Sequence, residues 1–250
     1  MFLTTVTTAD HIATLTIAPS DGLADGPFDD ALAAAAAQIA ADTEAIRAVV
    51  VTGSETTFCA GWSAQTLAAA TASPPPVAGI NALAAIPQPV VAAIEGSAHA
   101  AGLEIALACD IRVAGEGASF EMPETGRGAV PNGGGTQRLP RIVGRAHALR
   151  LLLTGEQIDA DEAKRIGLIS AVAAAGGATA AAQSIAEAIA SRGPIATRFA
   201  KEAVHRGAEM ALEQALRYEL DLTVLLQTTD DRAEGVSAFT EKRPPKFTGN

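Results

Sequence analysis

PVVAAIEGSAHAAGLEIALACDIRVAGEGASFEMPE, residues 89–124, packs three short apolar runs and a small-residue turn into 36 residues. Residues 89–94 form a short, continuous apolar run, the pattern of a strand covered on both faces, and Gly96 stops it. Residues 101–110 then read as a helix entered from a turn of small side chains. Residues 111–114 and 118–120 are two further short strands. Strand, turn, helix and strand in so few residues is the unit of a parallel sheet with crossing helices.

The same unit recurs on both sides of this segment. Residues 45–52 (AIRAVVVT) are a second buried strand, stopped by Gly53. Residues 11–18 alternate like a strand, 19–27 are a Gly, Asp and Pro loop, and 28–42 are alanine-rich and helical. Asp159 followed by Glu162 makes a helix start of the capping-box type. Gly167 ends that helix before a strand at 168–172. From about Gly176 the chain turns helical, with apolar spacing of three and four over 184–192, 195–206 and 209–228. That tail is a layer on the core or on a neighbour. Residues 68–76 (AAATASPPP) read as an exposed loop. The class is α/β, divided into a core domain over 1–190 and a helical region over 191–250.

The chain has 250 residues, with 18 Lys and Arg against 28 Asp and Glu, a formal charge of −10. A phosphate-backbone binder needs a basic face, so nucleic acid is not an expected partner. At 48% hydrophobic and 18% charged residues the chain is not disordered. Cys59 and Cys109 show no zinc spacing and suit a reducing compartment. The first basic residue is Arg47, so no secretory or transit signal is expected, and no strongly apolar run reaches membrane length. The expected setting is cytoplasmic, with no membrane partner.

Some motifs fail on inspection. In the cluster 126–135 (GRGAVPNGGG), Pro131 stands where a dinucleotide fingerprint needs Gly, and Gly134 where a P-loop needs Lys. Ser97 and His99 lack a nucleophile elbow. His11, His99, His147 and His205 show no metal-ligand spacing, so no metal is expected.

Two strands end in small-residue turns that run toward helices, one through FCAGWS (58–63) and one through EGSAHAAGLE (95–104). Such turns expose backbone N–H groups and admit a ligand to the main chain, or simply allow tight helix–strand packing. Glu104 lies in an otherwise apolar helix, either on a solvated edge or buried for a purpose. Glu124 follows Pro123 on a loop after the 118–120 strand.

These segments together resemble the enoyl-CoA hydratase/isomerase (crotonase) family. The resemblance runs through FCAGWS, EGSAHAAGLEIALACDIRVAGEGASFEMPE, GGGTQRLPRIVG (133–144), TGEQIDADEAKRIGLISAV (154–172) and FTEKRPPKF (239–247), covering about residues 45–250. It implies a spiral of ββα and βαβ turns with a C-terminal all-helical trimerisation region, assembled as a trimer or a dimer of trimers. It implies an acyl-CoA substrate of the kind met in fatty acid metabolism, and no cofactor beyond the CoA the substrate carries. The thioester oxygen would sit in an oxyanion hole between the N–H groups of Ala60 and Ala101. Glu104 would activate water and Glu124 would give a proton to C2 of a 2-enoyl-CoA, as in a hydratase. The Glu124 match alone would serve a Δ3,Δ2-enoyl-CoA isomerase, and a relative acting on ring or branched acyl-CoA is a third reading. Lys242, Arg243, Lys246 and Phe247 match a tail that reaches CoA in this family; a solvated terminus is the plain reading.

The sequence also departs from the family. Ser63 replaces a usual Asp, and either can cap a helix. Trp62 either narrows the substrate channel beside Gly61 or fills core. Ala100 and Ala101 replace common glycines. Asn132, before Gly133 in the pocket segment, replaces a frequent glycine and tolerates left-handed φ. His99 either touches substrate or packs. The segment 19–27 looks shortened.

Overall fold

The computed structural model describes residues 4–70 and 72–250. Thr71, inside the expected 68–76 loop, and residues 1–3 lie outside the described residues.

A six-stranded sheet carries the fold. In spatial order it runs β1 (Thr4–Ala9), β2 (Ile12–Ile17), β3 (Ala48–Thr52), β5 (Val90–Ile94), β7 (Ile111–Gly115) and β10 (Ala171–Ala173). All neighbours pair in parallel except β1 with β2. A second sheet takes the order β4 (Thr57–Cys59), β6 (Ser97–His99), β8 (Ser119–Glu121) and β9 (Ile158–Asp159). Each of β3, β5 and β7 therefore hands the chain to a strand of the small sheet one turn later, which produces the spiral.

Strands β3 and β5 are continuously apolar because both faces are covered. Ala48, Val50, Val91 and Ala93 meet Ala178, Ala182, Ala186 and Ala190 of α8 (Ala178–Ala190). Alanines four apart make one flat helix face, which lets α8 lie close on the sheet. Val49, Val51, Val90, Ala92 and Ile94 face the main core with Phe28, Leu32 and Ile39 of α1 (Gly26–Ala41). Glu95 joins the two sides: its Oε1 accepts the N–H of Ala178 at 2.8 Å, at the start of α8.

The remaining helices are α2 (Ala64–Ala69), α3 (Ala78–Ala84), α4 (Ala101–Ala108), α5 (Gly135–Val143), α6 (Arg145–Thr154), α7 (Ala160–Arg165), α9 (Pro194–Gly207), α10 (Leu212–Leu226) and α11 (Asp230–Glu241). Residues 68 and 69, expected in a loop, end α2. The strand expected at 168–172 shrinks to Ala171–Ala173. Leu168 and Ile169 instead fold back on α7, their N–H groups donating to Ala163 O. Leu212, Leu216, Leu220 and Val224 leave an exposed apolar stripe along α10. Among the described residues no helix is long and apolar enough to cross a membrane.

Candidate active site

The two small-residue turns touch. A β-carbon on Gly61 would lie 3.3 Å from the Ala100 methyl and 3.6 Å from His99 O. One on Gly102 would overlap the Cys59 carbonyl. Gly61 adopts φ +115° and Ala100 φ +48° with ψ −116°, a conformation that strains an L-residue. Ala101, next in line, is the first residue of α4, so its N–H has no intrahelical acceptor and lies at the positive end of the helix dipole.

The second donor differs from the expectation. The Ala60 N–H donates to Gly22 O at 2.7 Å, so it is already committed. The segment after β2 pairs with this turn: Ala24 N–H donates to Gly61 O at 2.7 Å and Ser63 N–H to Ala24 O at 2.8 Å. That pairing uses the Gly61 carbonyl and the Ser63 N–H and leaves the Trp62 N–H without an acceptor among the described residues. Trp62 is 6% exposed and belongs to the main core, so core filling describes it better than an open channel wall. Ser63 caps α2 as expected, its Oγ accepting Thr66 N–H at 3.2 Å.

Glu104 is fully buried on α4. Its Oε1 accepts Gly135 N–H at 2.9 Å, while Oε2 has no partner. Burial pushes its pKa from 4.5 to about 7, against the Gly135 hydrogen bond and with a further push from the Glu124 charge. Glu124 opens a 3-10 turn after β8 rather than a plain loop, and neither carboxyl oxygen has a partner. Burial raises its pKa too, opposed by its own backbone N–H and by Arg127. A β-carbon on Gly133 would fall 2.6 Å from Glu104 Oε2 and 2.8 Å from Ile80 Cδ1. The bare backbone of Gly133 and Gly135 thus leaves room for the Glu104 carboxyl. Arg138 holds that segment, donating to Gly133 O at 2.6 Å.

Other expected site residues fall elsewhere. His99 shares a hydrogen bond with Ser119 Oγ at 2.9 Å and faces Glu121 at 3.5 Å, so its ring spans the small sheet. Burial lowers its pKa, with Glu121 pulling the other way. Asn132 has no left-handed φ; its side chain donates to Pro75 O at 2.8 Å. Arg243 is clamped by Glu234 at 2.6 and 2.8 Å and by Glu241 at 2.7 Å, which removes it as a free phosphate ligand in this chain. Phe247 packs against Gly193 and Gly235 of its own chain, and its carbonyl accepts from Arg47. The ammonium groups of Lys242 and Lys246 make no hydrogen bond or ion pair among the described residues.

Asp29 escaped the sequence reading. Its Oδ1, on α1, accepts the N–H of Gly79 at 3.0 Å and so caps α3 from another element. Burial raises its pKa, opposed by the α3 amides. No local signal marks such a cap; only Val77, a residue without a capping side chain, hints that one is needed.

Residues 28–250 match the Enoyl-CoA hydratase/isomerase family. The 2,3-dehydroadipyl-CoA hydratase of Escherichia coli is 40% identical over 216 residues, covering 85% of each chain. A protein of Arabidopsis thaliana described as probable enoyl-CoA hydratase 2, mitochondrial, is 47% identical over 162 residues; these are 65% of this chain and 54% of that one, so the match spans about half of the relative's length. The crystal structure of an enoyl-CoA hydratase from Bacillus anthracis superposes with a TM-score of 0.91 at 35% identity, covering 99% of this chain and 100% of that one. The chain belongs to the enoyl-CoA hydratase/isomerase family.

Proposed function

We propose that this chain is a hydratase of 2-enoyl-CoA esters, adding water syn across C2=C3 to give a 3-hydroxyacyl-CoA. One observation carries the reading: three partnerless carboxyl oxygens, one on Glu104 and two on Glu124, are buried, and the two carboxyls are near enough for the Glu124 charge to act on Glu104. Native structures rarely leave buried oxygens unpaired without a use.

The thioester oxygen accepts from Trp62 N–H and Ala101 N–H, where charge develops as the π electrons move. Each such donor is worth roughly 2.7–4 kcal/mol. As the water oxygen bonds to C3, Glu104 takes one of its protons and the π pair passes to the thioester as an enolate. Glu124 then supplies a proton to C2 and the enolate collapses. The proton gained by one glutamate and lost by the other is restored by exchange with solvent. Burial and mutual repulsion keep the pair from ionising together, which suits one acid and one base. The addition is redox-neutral, so no cofactor is required beyond the CoA of the substrate. The free ammonium groups of Lys242 and Lys246 are the proposed contacts for CoA phosphates.

The exposed stripe on α10 supports assembly as a homotrimer or a dimer of trimers, with residues 191–250 as the oligomerisation region. Both cysteines are buried and unbridged, which suits the reducing cytoplasm as the place of action.

The test is loss of the conjugated-thioester absorbance with a panel of 2-enoyl-CoA esters, beginning with crotonyl-CoA. Gain of that absorbance from a 3-enoyl-CoA, without loss from any 2-enoyl-CoA, moves the assignment to isomerisation by Glu124 alone. No change with either substrate removes the catalytic reading.

A further inference from the structure

We infer that His99 is a positioning residue: its ring grips strand β8 and so holds the strained Ala100 bend that aims the Ala101 N–H. The inference rests on the hydratase reading for what that N–H does, while the grip itself rests on geometry.

A trans peptide is planar, so the Ala100 carbonyl and the Ala101 N–H point in opposite directions. The carbonyl is fixed, because it accepts the Glu104 N–H at 3.0 Å in the first turn of α4. The Ala101 N–H therefore points away from the helix, along a line that the torsions of Ala100 set. Those are φ +48° and ψ −116°, close to the first central position of a type II′ turn, which glycine dominates. An alanine stays there only where its surroundings hold it from both sides.

Downstream the hold is α4, whose Gly102 lies against the Cys59 carbonyl. Upstream it is β8. His99 pairs with Glu121 in the register of β6 and β8, and the Ala100 N–H donates to Glu121 O at 2.9 Å. Any residue at 99 could keep that backbone pairing. The His99 side chain adds a tie of its own: Nε2 shares a hydrogen bond with Ser119 Oγ at 2.9 Å, and Nδ1 faces Glu121 Oε2 at 3.5 Å. Ser119 and Glu121 stand two apart on one strand, so both side chains leave the same face of the sheet. A flat ring carrying two nitrogens spans them. Among the described residues no other side chain of β6 hydrogen-bonds to β8, so this ring is the one side-chain tie from β6 to the strand that holds the bend.

The experiment is a double-mutant cycle on kcat and KM for crotonyl-CoA. His99→Phe, which keeps a flat ring without the nitrogens, is made in the unmodified chain and in Ala100→Gly. Glycine takes the bend without strain and should no longer need the grip. In the unmodified chain His99→Phe is expected to lower kcat about 5- to 30-fold, the population shift that release of such strain allows. KM should stay within about twofold, because a donor of this kind matters most where charge develops. In the Ala100→Gly chain the same change is expected to lower kcat less than about twofold. Equal losses in the two chains, or a loss confined to KM, overturn the inference. Should His99→Phe fail to fold, Ser119→Ala takes its place and cuts one side of the grip. Amide exchange at residue 100 reads the bend without turnover. Faster exchange there in His99→Phe, with the amides of β5 unchanged, supports the grip; an unchanged rate, or a rise shared with β5, sinks it. If the unmodified protein hydrates no enoyl-CoA, the hydratase reading fails by itself, and exchange still decides whether the grip exists.

Discussion

Replacing Glu104 by Gln should remove activity and add stability, and the size of the gain should depend on pH. The carboxyl is fully buried, and its pKa stands at about 7 in the folded chain against 4.5 ordinarily. Below pH 4.5 the group is protonated folded and unfolded, so burial of charge costs nothing. As pH rises from 4.5 to 7, the unfolded chain releases the proton first and the folded state loses ground. Above pH 7 the full penalty applies, roughly 3 kcal/mol at about 1.4 kcal/mol per pH unit. The substituted amide never ionises, yet its oxygen can still accept the Gly135 N–H. Any cost of burying the amide nitrogen is the same at every pH and cancels in the comparison. The stability of Glu104→Gln minus that of the unmodified protein should therefore climb by roughly 3 kcal/mol between pH 4 and pH 8. Urea unfolding, followed through the fluorescence of the single Trp62 and extrapolated linearly, measures it. Hydration should meanwhile fall about 10²- to 10⁴-fold. A stability difference that stays flat with pH would refute the claim that Glu104 is a desolvated acid.

Further tests address the frame of the site and the assembly. Gly102→Ala forces a methyl into the Cys59 carbonyl, so it should destabilise by about 1–3 kcal/mol in the same unfolding assay. Asp29→Ala removes the only side-chain cap of α3 among the described residues and should cost about 0.5–2 kcal/mol, with Asp29→Asn costing less because it keeps an acceptor. Leu216→Glu together with Leu220→Glu places charge on the exposed stripe of α10. Sedimentation velocity should then show a smaller species than the unmodified chain, and an unchanged assembly would clear that stripe of any role in it.

The scaffold was readable where burial leaves a mark in composition. AVVVT and VVAAI are covered on both sides, so all but Thr52, whose hydroxyl pairs with Thr179, are apolar, and both strands stood out. The hairpin of β1 and β2 did not. Its turn is Asp10–His11, both with positive φ, and neither residue is the Gly or Asn that usually signals such a turn. Helices α5 and α6 were hidden behind the glycine run at 133–135 and by Pro140 within α5. Glu104 could be singled out because a carboxyl in an apolar helix is an anomaly, whereas Glu124, beside Pro123, carries no such local mark and was named through the family resemblance. Which amide beside Gly61 is free could not be read, because that depends on carbonyls at Gly22 and Ala24, far back in the chain. The Asp29 cap and the Asn132 contact are likewise meetings of distant segments that no local pattern announces.

Glu95 gives the helical tail a pivot. Its carboxylate pins the first residue of α8 while its own backbone continues straight into the donor turn. At about 1.5 Å per residue, the thirteen residues of α8 make a lever about 20 Å long. A tilt of only about 5° at the pin would swing its far end by nearly 2 Å, a motion opposed by the alanine face on the sheet and by Lys201 of α9, which is tied to Asp110 and to the carbonyls of Ile86 and Gln88. Glu95 is thus one of the contacts that fix where the helical tail leaves the sheet, and it sits one residue before the turn that leads into α4.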